Sequence, residues 1–257
     1  MIDPSALFRL DGRVALITGG GGGLGALFAE ALAAAGADVA LVGRRAEVVQ
    51  SVADAVTRDT GRRAVAIAGD VTDVDQVQRV ADQALEALGK VDILVNNAGV
   101  NIRKPTVSYS PDDWQQVLQV NLTGPFLCAR ALAPQMLARG WGRVINVSSM
   151  LGQVGLAERP AYTAAKGGLI QLTRTMALEW AENNVTVNAL APGPFETELN
   201  RPLMNNPPAY QAFIAKIPLG RWGQPAELAG PILFLASEAS SFMTGAVLTV
   251  DGGWTAQ

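Results

Sequence analysis

Five consecutive glycines at 19–23, with a sixth at Gly25, separate two segments of opposite character. Upstream, Arg13-Val-Ala-Leu-Ile-Thr18 is a short apolar, β-branched run that reads as a buried strand. Downstream, Leu24, Leu27, Phe28, Ala31, Leu32 and Ala35 recur at helical spacing, and Gly36-Ala37 ends that helix. A glycine run alone reads as a flexible linker. Between a strand and an amphipathic helix it is a turn that brings backbone N–H groups to a helix N-terminus, where a pyrophosphate can be held. Gly19, Gly21, Gly22, Gly23 and Leu24 are therefore candidate cofactor-binding residues.

The alternation continues. Strands are expected at 38–43, 64–68, 91–95, 142–147, 185–190 and 246–250, and helices at 46–60, 73–88, 111–138, 161–180 and 224–236. Asn121 interrupts the apolar stripe of the 111–138 helix, where an amide either faces solvent or needs a partner. No repeat beyond the βα alternation and no low-complexity linker divides the chain. Residues 1–257 thus read as one domain: an α/β Rossmann fold whose doubly wound, seven-stranded parallel sheet is flanked by helices. Residues 194–222, rich in Pro and Asn, read as a loop-and-helix cover over the substrate crevice.

Ligands of such sheets bind at the carboxyl ends of the strands. The second strand has Asp38 at its start, the wrong end to hold a ribose hydroxyl, and Arg44 and Arg45 at its exit. Two guanidiniums there suit a 2′-phosphate, and the expected cofactor is NADP, with NAD possible. The alternative is a pair of solvated surface arginines. Asp70 and Val71 leave the third strand, and Asn97, Ala98 and Gly99 leave the fourth, so all five are placed to meet a cofactor.

Tyr162-x-x-x-Lys166 opens the 161–180 helix, where residues four apart share a face. A free phenol has a pKa of about 10, too high for proton exchange at neutral pH, and a nearby ammonium lowers it. A Tyr tuned in this way shuttles a proton to or from an alcohol or ketone oxygen. The plainer alternative is a core tyrosine beside a lysine that snorkels outward.

Composition narrows the chemistry further. The chain has no histidine, which excludes Ser-His-Asp and Cys-His catalysis and every imidazole-ligated zinc site, so no metal is expected. Net charge is −3 with no basic block, so no nucleic-acid partner is expected. A single cysteine, Cys128, precludes an internal disulfide. No apolar run approaches the ~20 residues of a membrane span, and the first residues lack a signal-peptide pattern, so a cytoplasmic protein is expected.

Thr18-Gly19-x-x-x-Gly23-x-Gly25, Asn96-Asn97-Ala98-Gly99, Asn121, Ser149, Tyr162-x-x-x-Lys166 and Pro192-Gly193 occur in this order. With these motifs the chain resembles the short-chain dehydrogenase/reductase family over essentially its whole length. The resemblance implies that Tyr162 is the catalytic acid/base, with Lys166 lowering its pKa and binding the nicotinamide ribose. It further implies that Ser149 polarises the substrate oxygen, and that Asn121 holds a water for a proton relay through Lys166. Asp70 and Val71 would contact adenine, Asn97, Ala98 and Gly99 the adenosine ribose, and Pro192, Gly193, Phe195 and Thr197 the nicotinamide. Such relatives are usually homotetramers that pair long helices, with C-terminal packing, here around Trp254, forming a second contact; the competing reading is a monomer.

The substrate pocket is expected from Ser149, Met150 and Gln153 with Tyr162, from Asn101 and Arg103, and from the cover. These stretches look most like those of relatives acting on sugar acids, polyols or small ketones, in which Arg103 would either pair a carboxylate or be solvated. Two rival readings are a 3-oxoacyl-carrier-protein reductase, docking its carrier on Arg130, Arg139 and Arg174, and an NADP-binding scaffold or sensor without turnover.

Overall fold

The short β-branched runs become strands because their side chains alternate between two buried faces. In β1 (Val14–Thr18), Ala15 and Ile17 enter one core and Leu16 the other. The computed structural model describes residues 3–256; Met1, Ile2 and Gln257, the ends of the expected 1–257 domain, lie outside the described residues.

Seven strands, β1, β2 (Asp38–Gly43), β3 (Ala64–Ala68), β4 (Ile93–Asn96), β5 (Gly142–Val147), β6 (Val185–Pro192) and β7 (Val247–Val250), form one sheet in the order β3-β2-β1-β4-β5-β6-β7. Every pairing is parallel. Helices α1 (Gly23–Ala34), α2 (Ala46–Thr60) and α9 (Ala229–Ala236) pack on one face through Phe28, Leu32, Val49, Ile232 and Leu235. Helices α3 (Val74–Leu88), α5 (Gly124–Arg139) and α6 (Pro160–Trp180) cover the other through Val77, Val80, Leu132, Met136 and Met176. This is the expected single-domain, doubly wound α/β sheet. Among the described residues, no helix is long and apolar enough to cross a membrane.

The expected 111–138 helix is not continuous. It comprises α4 (Pro111–Leu118), a π-helical turn at Gln119–Thr123, and α5. The Gly124 N–H reaches back five residues to Gln119 O. Pro125 has no N–H to return to the Asn121 carbonyl, so an ordinary α-turn there lacks a bond in any case. The expected 224–236 helix likewise opens with a 3-10 turn, Pro225–Leu228, before α9.

The cover comprises a 3-10 turn, Glu198–Asn200, followed by α7 (Arg201–Met204) and α8 (Pro207–Ile214). It is anchored by aromatic stacking: Trp222 lies 5.4 Å from Tyr210 and 5.5 Å from Phe213 between ring centroids. Trp254, expected at a subunit contact, is buried within its own chain against Phe213.

Candidate active site

Strand order reverses between β1 and β4, so the segments leaving these strands diverge and open a crevice. Thr18 fixes their spacing. Its Oγ1 accepts the N–H groups of Asn97 at 3.0 Å and Ala98 at 3.1 Å, while Asn97 Nδ2 donates to Thr18 O at 3.0 Å. The turn after β1 needs its glycines. Gly19 sits at φ +68°, and a Cβ on Gly25 would collide with the Gly19 carbonyl.

A cavity of about 840 Å³ runs along the strand exits. Gly19, Gly21, Gly22, Gly23 and Leu24 line one end, together with Arg44, Arg45, Asp70 and Val71. Asn97, Ala98, Gly99, Pro192, Gly193, Phe195 and Thr197 line the middle, and Ser149, Met150, Tyr162 and Lys166 the other wall. The side chains of Arg44 and Arg45 are exposed at the β2 exit. Asp38 is engaged at the opposite edge, accepting from Arg63 N at 3.1 Å and pairing Arg62 at 2.8 Å.

Tyr162 lies on the first turn of α6, and two hydrogen bonds stitch that helix to the β5 exit. Lys166 Nζ donates to Val147 O at 2.7 Å, and Ser148 Oγ donates to Lys166 O at 2.9 Å. Beneath them a buried chain crosses the sheet into α6: Asn96 Nδ2 to Asn146 Oδ1, and Asn146 Nδ2 to Thr173 Oγ1, each 2.9 Å. The Ser149 hydroxyl hydrogen-bonds the Tyr162 phenol.

Asn121 is fully buried behind the cavity wall. Its Nδ2 donates to Val100 O at 2.8 Å and Val117 O at 2.9 Å, which holds the π-turn, while Oδ1 has no partner among the described residues. A Cβ on Gly99 would lie 3.0 Å from Asn121 Oδ1 and 3.9 Å from Lys166 Nζ, so that glycine keeps a small space open between them.

The electrostatics differ from the sequence expectation. Burial pushes the Tyr162 phenol up, partly offset by the Ser149 hydrogen bond and by the Arg103 and Arg159 guanidiniums. Lys166, expected to supply the lowering charge, is bonded to Val147 O with its Nζ 5.6 Å from the Tyr162 ring centroid. Burial lowers its own pKa to about 7. Desolvation disfavours the ammonium more than any neighbour here favours it.

Gln153 is a second correction. Its side chain is exposed and donates to Thr249 Oγ1 at 2.9 Å, outside the residues that line the cavity. Arg159 lines the cavity without having been singled out from the sequence, and Phe213 and Trp222 line it from the expected cover. Arg159 stands three residues before Tyr162, a spacing that put it within reach of the phenol. Phe213 and Trp222 carry no local signal, because only the cover brings them to the cavity.

Comparison with known proteins accounts for the arrangement. A family model described as enoyl-(acyl carrier protein) reductase matches residues 20–255. The 2-dehydro-3-deoxy-D-gluconate 5-dehydrogenase of Escherichia coli (strain K12) is 40% identical over 251 residues, covering 97% of this chain and 98% of that protein. The galactitol 2-dehydrogenase (L-tagatose-forming) of Cereibacter sphaeroides is 41% identical, covering 99% of each. A gluconate 5-dehydrogenase from Burkholderia cenocepacia J2315, crystallised with NADP and tartrate, superposes with a TM-score of 0.96 at 42% identity, covering 99% of this chain and 100% of that one. The chain belongs to the short-chain dehydrogenase/reductase family. As a short-chain dehydrogenase/reductase it is an oxidoreductase acting on alcohol and ketone groups.

Proposed function

We propose that this short-chain dehydrogenase/reductase uses NADP in preference to NAD and interconverts a secondary alcohol and a ketone on a sugar acid, polyol or small ketone. The observation that carries the reading is one cavity with Ser149, Tyr162 and Lys166 on one wall and, at its far end, the glycine turn beside two exposed arginines. The residues present fit the cofactor: a turn with no room for side chains, a small space at Gly99, and an unpaired acceptor at Asn121 Oδ1.

When bound, NADP accepts the hydride in oxidation, and its reduced form donates it in reduction. The N–H groups of the 19–24 turn hold the pyrophosphate. Arg44 and Arg45 would hold the 2′-phosphate, whose geometry suits a guanidinium. Asp70 and Val71 border adenine, Asn97, Ala98 and Gly99 the adenosine ribose, and Pro192, Gly193, Phe195 and Thr197 the nicotinamide, while Lys166 binds its ribose. In reduction Tyr162 Oη gives its proton to the carbonyl oxygen as Ser149 donates a hydrogen bond to the same atom; in oxidation the phenolate takes the hydroxyl proton. Asn121 Oδ1 provides the acceptor that a relay water beside Lys166 requires.

Relatives named for gluconates and a polyol support the substrate class. Met150 borders the substrate, and residues 194–222 cover it. A carrier-protein reductase is less well supported, because Arg139, one of its three docking arginines, is tied to Val91 O and Asp92 at the amino edge of the sheet. An inert scaffold would have no use for the buried Tyr162 and Lys166 assembly, whose desolvation opposes both charged forms. Trp114, Phe126 and Leu178 are exposed on α4, α5 and α6, which supports a homotetramer pairing these helices, and we place it in the cytoplasm.

A panel of sugar acids, polyols, small ketones and a 3-oxoacyl thioester, followed by nicotinamide absorbance, tests the reading. Turnover is expected with a polyhydroxy substrate at a kcat/KM above about 10⁴ M⁻¹s⁻¹, the lower end for enzymes on their own substrates. Turnover of the thioester alone would overturn it.

A further inference from the structure

Arg159 is a cavity-lining residue to which the mechanism above gives no task. It caps α6 directly before Pro160, only 7% exposed, and follows Glu158, which sits at φ 65°. Its Nη1 donates to Ala157 O at 2.8 Å, and its guanidinium lies 5.9 Å from the Phe213 ring of the cover.

An arginine is also the like charge that acts on it. Arg103 borders the same cavity, half-buried, with Nη2 donating to Asn200 Oδ1 at 3.1 Å. Lys104 N donates to Glu158 O at 3.1 Å, which staples the loop carrying Arg103 to the loop carrying Arg159 and fixes their register. Among the described residues Arg159 has no ion pair within 4 Å; Glu158 acts on it only at longer range, from the exposed surface. Glu198, the carboxylate bordering this part of the cavity, is taken by Arg201.

The Arg103 charge opposes that of Arg159, and burial adds to the cost of each. An anion beside Arg159 reverses both effects there. The anion is not the cofactor's, since the proposed phosphate contacts lie at the opposite end of the cavity, whereas Arg159 adjoins Tyr162. We propose that Arg159, with Arg103 as the opposing jaw, binds the carboxylate of an acidic substrate and is the residue that separates sugar acids from neutral polyols. This rests on the reading of the site as a polyhydroxy-substrate dehydrogenase. The planar fork of Arg matches a carboxylate at two points, which a lysine cannot do.

Tartrate and threitol share a four-carbon polyhydroxy skeleton and differ only in having carboxylates or alcohols at their ends. Their dissociation constants are measured on NADP-saturated protein. Wild type is expected to bind tartrate at least about tenfold more tightly, Arg159→Gln to lose most of that preference, and Arg159→Lys to keep a fraction of it. An unaltered tartrate-to-threitol ratio in Arg159→Gln, or no preference in wild type, overturns the proposal. NADPH binding and the melting temperature report whether each variant folds; should Arg159→Gln not fold, Arg159→Lys decides alone, and a wild-type ratio in it counts against the clamp. Turnover is read separately. A preference that follows Arg159 without oxidation of any polyhydroxy substrate leaves the clamp standing and removes the dehydrogenase reading; turnover with a preference indifferent to Arg159 does the reverse.

Discussion

Tyr162→Phe is expected to lower turnover about a thousandfold, in the upper part of the range for loss of a general acid–base group. The substitution removes one oxygen and keeps the ring, so packing against Val117, Met150 and Trp222 in the cluster beneath the cover is preserved. Loss of the neutral hydrogen bond from Ser149 is worth about 1 kcal/mol, or roughly fivefold. A thousandfold effect therefore exceeds what structural loss supplies. NADPH affinity, measured by fluorescence, should stay within about threefold, because the phosphate contacts lie at the other end of the cavity. Turnover within about tenfold of wild type would reject the role of Tyr162.

Arg44→Asp is expected to shift the NADP-to-NAD ratio of kcat/KM by about ten- to a hundredfold towards NAD. A charge-assisted hydrogen bond is worth about 1.5–3 kcal/mol, the introduced carboxylate repels the 2′-phosphate, and it can accept from a 2′-hydroxyl in NAD. Arg44 is exposed and forms no ion pair among the described residues, so stability should change by less than about 0.5 kcal/mol. An unchanged ratio, from initial rates with each cofactor, would defeat the NADP assignment.

The sheet was legible because each strand announces itself by β-branched runs and each helix by a 3.6-residue period, and because the glycine turn fixes which strand edge is the working edge. That Tyr162 and Lys166 share the cavity wall was legible from spacing, and that Arg44 and Arg45 border it from their side of β2. The π-turn at Asn121 was not. It adjoins Pro125, which has no N–H to donate in either kind of turn, and the apolar stripe runs through it uninterrupted apart from the amide itself. Gln153 was misassigned because a side chain just past a strand exit can turn either way, and here Thr249 of β7 captures it. The charges around Tyr162 were misjudged for a related reason: sequence spacing brings Lys166 near, but it does not reveal the Val147 carbonyl that holds it or the burial that lowers it. Arg103 and Arg159 come from loops 56 residues apart, joined by one backbone hydrogen bond no sequence pattern specifies.

These charges set the pH behaviour. Burial raises the Tyr162 phenol and lowers the Lys166 ammonium, and a bound ribose that favours the ammonium works against both effects. Oxidation needs the phenolate, so with NADP saturating, kcat/KM for the alcohol should rise with pH and level off above the Tyr162 pKa. The decisive measurement is that profile in wild type and in Tyr162→Phe. A rising limb that is present in wild type and absent from the residual activity of Tyr162→Phe is expected. The same limb surviving in Tyr162→Phe would contradict proton transfer through Tyr162.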